Sequence, residues 1–268
     1  MVYLSVITGL VTALSWGTTD YMSRAHSERI GYYKAIIYSM LVTLIVLVPV
    51  TPLVSPHLVA PVLPLLALVI AGFLNFIGFT LPVPCLPYRR GVRGCAGGLH
   101  LPRGDHCVSI VVLKTFLSTV QTVAIAGIIL GVSLSSTRFS ELRQLLSGKG
   151  APNLTAGFMP AATASLLFGT VYIGVGYAAP IVSVVIPVTV LRIVGISLGV
   201  ILAPVLGQDA SLSKAVFSKG IIVMGVLEAA GFLSLTYGIS VPGGSLPVVT
   251  ATSGMGGSGG GQLWPRVP

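Results

Sequence analysis

From Ala151 to Leu191 the chain carries no charged side chain. A helix needs about 20 apolar residues to cross roughly 30 Å of hydrocarbon, so a run of this length holds one such helix and the start of a second. Comparable runs recur throughout: Tyr3 to Met22, Ala35 to Val54, Leu58 to Leu81, Thr115 to Thr137, Ala156 to Ala178, Ile181 to Leu202 and Gly220 to Ser240. Only 8% of the 268 residues are charged, against 54% hydrophobic. Soluble domains carry about 25% charged residues, which they need to cover a water-facing surface. The pattern predicts an all-α, polytopic membrane helix bundle. The first run lacks the basic stretch that opens a signal peptide, so it reads as a mature span.

The formal net charge is +9. In a soluble chain that excess would suggest nucleic acid. Here the basic residues cluster between apolar runs, as in membrane-flanking loops, so the expected partner is the lipid bilayer and not nucleic acid. Gly, Ala, Ser and Thr recur within the runs, as at Gly17, Gly72, Gly78, Gly169, Gly174, Gly225 and Gly231. Helices gain little from hydrophobic association inside lipid, so small residues that let backbones approach are what a compact bundle requires. Tyr21, Tyr32, Tyr33 and Tyr38 read as an interfacial belt. Pro52 and Pro56 read as a turn after the second span. Pro180 and Pro187 read as the start of the seventh span and a kink within it.

Two segments repeat. Residues 72–79 (GFLNFIGF) align with 225–232 (GVLEAAGF), and 14–18 (LSWGT) with 166–170 (LLFGT), at offsets of 153 and 152. Two matches in order suggest two halves of five spans each, with the second half starting near residue 155. Duplicating an odd number of spans inverts one copy relative to the other, a plan common among secondary transporters. With a fourth span placed in residues 91–113, the odd-numbered loops hold the basic clusters and the loops after spans two and six hold none. The positive-inside rule then puts the N-terminus outside and the odd loops in the cytoplasm.

The segments ALSWGTTDYMSR (13–24), AGFLNFIGFT (71–80), LSTVQTVAIAGIILGVSLSS (117–136) and YGISVPGGSLPVVTATSGMGG (237–257) resemble the EamA-type drug/metabolite transporter superfamily. The resemblance covers residues 3–81 and 115–257. It implies ten helices in two five-helix inverted repeats, residues 1–150 and 155–257, with eight to nine helices in this chain. It also implies a multi-pass protein of the plasma membrane that moves small metabolites, with substrate contacts on the central faces of spans one, three, six and eight. Two regions depart from the pattern. Residues 82–107 hold Pro87, Pro102, four Arg, Asp105, two His and all three cysteines, Cys85, Cys95 and Cys107, where the family has an apolar fourth helix. The non-family tail, 258–268, replaces the last helices. Arg, Gly, Pro and Cys enrichment is what an off-frame reading of GC-rich codons gives, and the gene's other reading frames test that origin. Cys95, His100, His106 and Cys107 lack the CxxC spacing of a metal knuckle, so no metal is expected.

Charged or polar groups inside spans are costly and mark cavities or partners. Five residues form the candidate substrate cavity: Trp16, Asp20, Asn75, Arg192 and Glu228. Glu228 lies mid-span and aligns with Asn75, so the two are expected to face each other across a pseudo-symmetric cavity. Glu228 either neutralises a cationic group or carries a coupling proton; its bland alternative is a protonated carboxyl bonded to a neighbour. Arg192 either binds an anionic group, pairs with Glu228, or snorkels to an interface. Asp20 reads as a boundary residue as much as a cavity one, and Trp16 as packing as much as stacking.

The leading function is a secondary transporter of small metabolites, coupled to a proton or another cation and using no cofactor. No GxxxxGK[ST] loop is present to power it with nucleotide. A transport-defective product, given the two aberrant regions, is the alternative. A membrane-embedded enzyme is the third reading, and no HExxH motif and no cluster of carboxylates occurs to support it.

Overall fold

The computed structural model describes residues 2–54, 61–80, 154–242, 244 and 246–253. The span expected at Thr115–Thr137, the fourth span, the window 82–107 with its cysteines and histidines, Pro56 and the tail lie outside these residues. The described residues form seven α-helices and one short 3-10 turn, with no strand among them. They are α1 (Val2–Ile30), α2 (Tyr32–Val54), α3 (Val62–Thr80), α4 (Leu154–Val182), α5 (Ile186–Leu202), the turn Lys214–Phe217, α6 (Lys219–Ser240) and α7 (Leu246–Ser253). Three helices, α2, α3 and α6, are long and apolar enough to cross a membrane, and Leu166–Val182 and Ile186–Leu202 are shorter apolar helices.

Several boundaries differ from the sequence reading. Helix α2 does not turn at Pro52; it continues through Pro49 and Pro52 to Val54. A proline leaves an unpaired carbonyl one turn back, which a packed helix tolerates when neighbours re-satisfy it. Pro187 does not kink the seventh span. It sits in the first turn of α5, where its missing N–H would have had no intrahelical partner. Pro180 lies in the last turn of α4, which ends at Val182, and residues 183–185 separate the two helices. Gly31, at φ +89°, makes the turn between α1 and α2 in a conformation that side chains resist.

The helices pack through small residues, as the composition suggested. Helix α1 lies along α6, with Ser5 donating to the Gly238 carbonyl (3.3 Å) and Thr12 to the Gly231 carbonyl (3.1 Å). His26 stands against Gly220, so α1 and α6 run antiparallel. Helix α4 makes its largest contact with α3, where Gly78 meets Phe168 and Gly174 meets Ala71; this pair is antiparallel too. Helix α2 packs on α6, and α5 on α3. A Cβ on Gly225 would come within 2.5 Å of Val42 and 3.1 Å of the Ser39 carbonyl oxygen. One on Gly72 would come within 2.9 Å of Val194 and 3.4 Å of the Leu191 Cα.

Two apolar clusters fill the interior. One gathers Leu68, Val171, Leu191, Phe232 and Leu235, and the other Ile37, Tyr38, Phe76, Ile221 and Met224. Outward faces are apolar as well, including Leu63, Leu66, Ile70 and Phe73 on α3 and Ile222, Val223 and Val226 on α6. An apolar exterior of this extent on neighbouring helices suits lipid better than water. Tyr21 and Tyr32 are exposed, as a belt requires, but Tyr33 and Tyr38 are buried. Their hydroxyls find protein partners: Tyr33 donates to the Gly199 carbonyl (2.6 Å), and Tyr38 to the Ser211 carbonyl (2.7 Å). The loop after α5 is thereby fastened to the start of α2, where Lys34 Nζ also meets Asp209 Oδ2 at 2.5 Å. The Lys34 hydrogen bond, with further bonds from Ser211, holds the Asp209 carboxyl well below the usual carboxylate range.

Candidate functional site

Glu228 occupies the middle of α6, about 13 Å from its start at 1.5 Å per residue. Met224, one turn before it, belongs to one apolar cluster, and Phe232, one turn after it, to the other. A carboxylate placed there needs partners, because an unpaired charge in a low-dielectric interior is strongly destabilising. Two neighbours supply them. Arg192 of α5 donates from Nη2 to Glu228 Oε1 at 2.8 Å, forming an ion pair. Ser39 of α2 donates from Oγ to Oε2. Both carboxylate oxygens therefore have a partner.

Arg192 is fully buried, so the alternative in which it snorkels to an interface does not hold. Its guanidinium lies over the Phe232 ring, 4.6 Å from the centroid. That contact adds a cation–π attraction, which gains strength where water is excluded. Nε and Nη1 of Arg192 have no hydrogen-bond partner among the described residues.

Trp16 joins the site at one remove. Its indole packs edge-on against Phe232 (5.0 Å between centroids, 63°) and stacks with Tyr172 (6.1 Å, 18°). Trp16 thus braces the ring that carries the guanidinium. It fits there because Gly231 has no side chain: a Cβ would lie 2.6 Å from Trp16 Nε1.

Asn75 is buried to 1% exposure on α3, and neither amide atom has a partner among the described residues. The hydrogen-bond partners of Glu228 do not include Asn75, its expected counterpart across a cavity. Helix α3 packs on α4 and α5, whereas Glu228 turns to α2 and α5. Asp20 is half-buried on α1 and is an electrostatic neighbour of Tyr32.

Ser39 is the site residue that the sequence reading missed. Its signal was faint: a hydroxyl in the apolar stretch Ala35–Val42, four residues before Thr43 and so on the same helix face. Thr43 donates to the Gly225 carbonyl (2.9 Å), fixing α2 against α6 just where Ser39 must reach Glu228. The pair and its hydroxyl can hold a charged or polar solute group, or exchange a proton at the carboxylate. Among the described residues no cluster of His, Cys, Asp or Glu could hold a metal ion. Comparison with family models, with curated proteins and with solved structures finds no match for this chain.

Proposed function

We propose that the chain is a multi-pass integral protein of the plasma membrane and a secondary transporter of a small metabolite, with the Arg192–Glu228–Ser39 group as its binding centre. The observation that carries this reading is a buried ion pair at mid-depth in an apolar bundle, joining helices α2, α5 and α6. Intramembrane charges that are paired and held in the interior are the usual mark of a solute or proton path.

We also propose that the site lies between two inverted halves, with α1, α2 and α3 matching α4, α5 and α6. Several contacts support this. The two largest helix contacts, α1 with α6 and α4 with α3, exchange under that matching, as do α2 with α6 and α5 with α3. Single residues follow: Gly231 against Trp16 matches Gly78 against Phe168, and Gly225 against Val42 and Ser39 matches Gly72 against Val194 and Leu191. Both helices that begin the halves run antiparallel to the third helix of the other half. Transporters of this plan bind solute at the repeat interface near the bilayer midplane. The EamA-type resemblance points the same way, and the coupling ion of this reading is a proton or another cation.

The test is uptake into proteoliposomes made from the full chain, across a panel of organic acids, amines and neutral polar solutes. At least one solute is expected to be taken up, with Glu228→Gln and Arg192→Gln each reducing its uptake at least tenfold. Uptake no faster than in protein-free vesicles for the whole panel would leave the transport-defective alternative as the better account.

A further inference from the structure

We infer that the free side of Arg192 binds a small organic monoanion, a carboxylate, and that Glu228 sets how tightly. The inference rests on the proposed function only for the ligand's later fate; binding itself is separate.

The polarity of what is left unsatisfied decides the ligand. A guanidinium carries five N–H donors and no acceptor. Arg192 donates from Nη2 to Glu228, while Nε and Nη1 are buried without a partner among the described residues. Buried donors in that condition are rare and costly, and those of a charged group most of all. Glu228 presents the opposite case, since Oε1 is held by Arg192 and Oε2 by Ser39. A cationic ligand at this place would be repelled by the buried guanidinium, whereas an anionic ligand finds donors waiting. Arginine is also suited to planar carboxylates by its fork of donors.

Asn75 extends the argument. Its amide is buried and unpartnered at both atoms among the described residues. Gly72, one turn before it, lies against Leu191 and Val194, the residues flanking Arg192. The amide therefore stands one helical turn from the chain around Arg192 and offers a donor and an acceptor to a second polar group of the same ligand. The charge count narrows the class further. Arg192 is the one fully buried cation among the described residues, and it already has one carboxylate beside it. A phosphate dianion would bring two more negative charges with no second cation to meet them. A single carboxylate brings one, and its repulsion from Glu228 keeps the affinity modest.

That last point yields a result which a purely structural role for the pair would not give. Removing the charge of Glu228 while keeping its shape should tighten carboxylate binding. The experiment uses the full chain in nanodiscs, with benzoate, benzylamine and inorganic phosphate as probes and isothermal titration as the readout. Benzoate is expected to bind the unaltered chain, and benzylamine and phosphate not to bind. Glu228→Gln is expected to bind benzoate about tenfold more tightly, since one opposing charge has gone. Arg192→Lys, which keeps the charge but loses the fork, is expected to weaken benzoate at least tenfold.

Benzylamine or phosphate binding in place of benzoate, or weaker benzoate binding in Glu228→Gln, would overturn the inference. Should Arg192→Lys fail to fold, the Glu228→Gln comparison decides alone. Benzoate binding without uptake of any solute would sink the transporter reading and leave this one standing. Uptake of another solute, with benzoate not bound, would do the reverse.

Discussion

Removing either member of the Arg192–Glu228 pair should destabilise the bundle, and by unequal amounts. The inequality follows from what each partner can do when left alone. Without Arg192, the Glu228 carboxyl keeps its bond from Ser39 and can take a proton, becoming neutral. Without Glu228, Arg192 keeps its charge, because a guanidinium does not deprotonate in proteins. It then sits fully buried with its Nη2 bond lost as well as the Nε and Nη1 bonds it already lacks. Breaking a buried pair from one side costs about 3–5 kcal/mol. An unfolded chain in a membrane-like solvent also finds polar partners, which argues for the lower end. We expect about 3 kcal/mol for Glu228→Leu and about 1–2 kcal/mol for Arg192→Met, taking the carboxyl's neutralisation as the cheaper relief. The double variant leaves neither charge, and apolar replacement of a buried pair is often close to neutral. It should therefore be more stable than Glu228→Leu alone. Reversible unfolding in mixed micelles, measured on all four proteins, gives the coupling directly. Additive losses, with a coupling below about 0.5 kcal/mol, would refute the claim that these side chains are partners in a dry interior.

Two further outcomes follow from the packing. Gly231→Ala places a methyl 2.6 Å from Trp16 Nε1, so the indole must move off Phe232; a loss of about 1–3 kcal/mol and a shifted tryptophan emission are expected, and unchanged emission would contradict the contact. Asp209 is held below the ordinary carboxylate range by Lys34 and Ser211, so its contribution is present near neutral pH and fades as the pH falls below the ordinary Asp value of about 4. The ends of the loop should accordingly become more accessible to protease on acidification, and Asp209→Asn should remove that pH dependence.

The helices were legible in the sequence wherever a run of apolar residues was long enough to cross a bilayer. The run ending at Thr80 and the one between Lys219 and Ser240 lie within a few residues of their expected limits. Boundaries set by proline were not legible. Pro52 breaks a helix on local grounds, yet α2 runs on past it for its last two residues, and Pro187 serves as a helix start because the preceding helix has already ended before 183–185. Tyr38 read as a belt residue, since nothing in its own surroundings in sequence announces Ser211 and Ser213, more than 170 residues away, as partners for its hydroxyl. The ion pair was among the readings of Arg192, because two opposite charges in neighbouring apolar runs have few other ways to be satisfied. Ser39 was not, because a hydroxyl in an apolar helix can equally bond its own backbone four residues back, as Thr51 does with Leu47.

The most direct test of two inverted halves around the ion pair is the sidedness of two matching turns. With Cys85, Cys95 and Cys107 replaced by serine, Arg29→Cys marks the turn between α1 and α2, and Val184→Cys marks the one between α4 and α5. A membrane-impermeant maleimide applied to sealed, uniformly oriented vesicles is expected to label one of these cysteines and to reach the other after permeabilisation. Labelling of both from the same side would mean that the halves are not inverted, and the proposed site between them would fall with that plan.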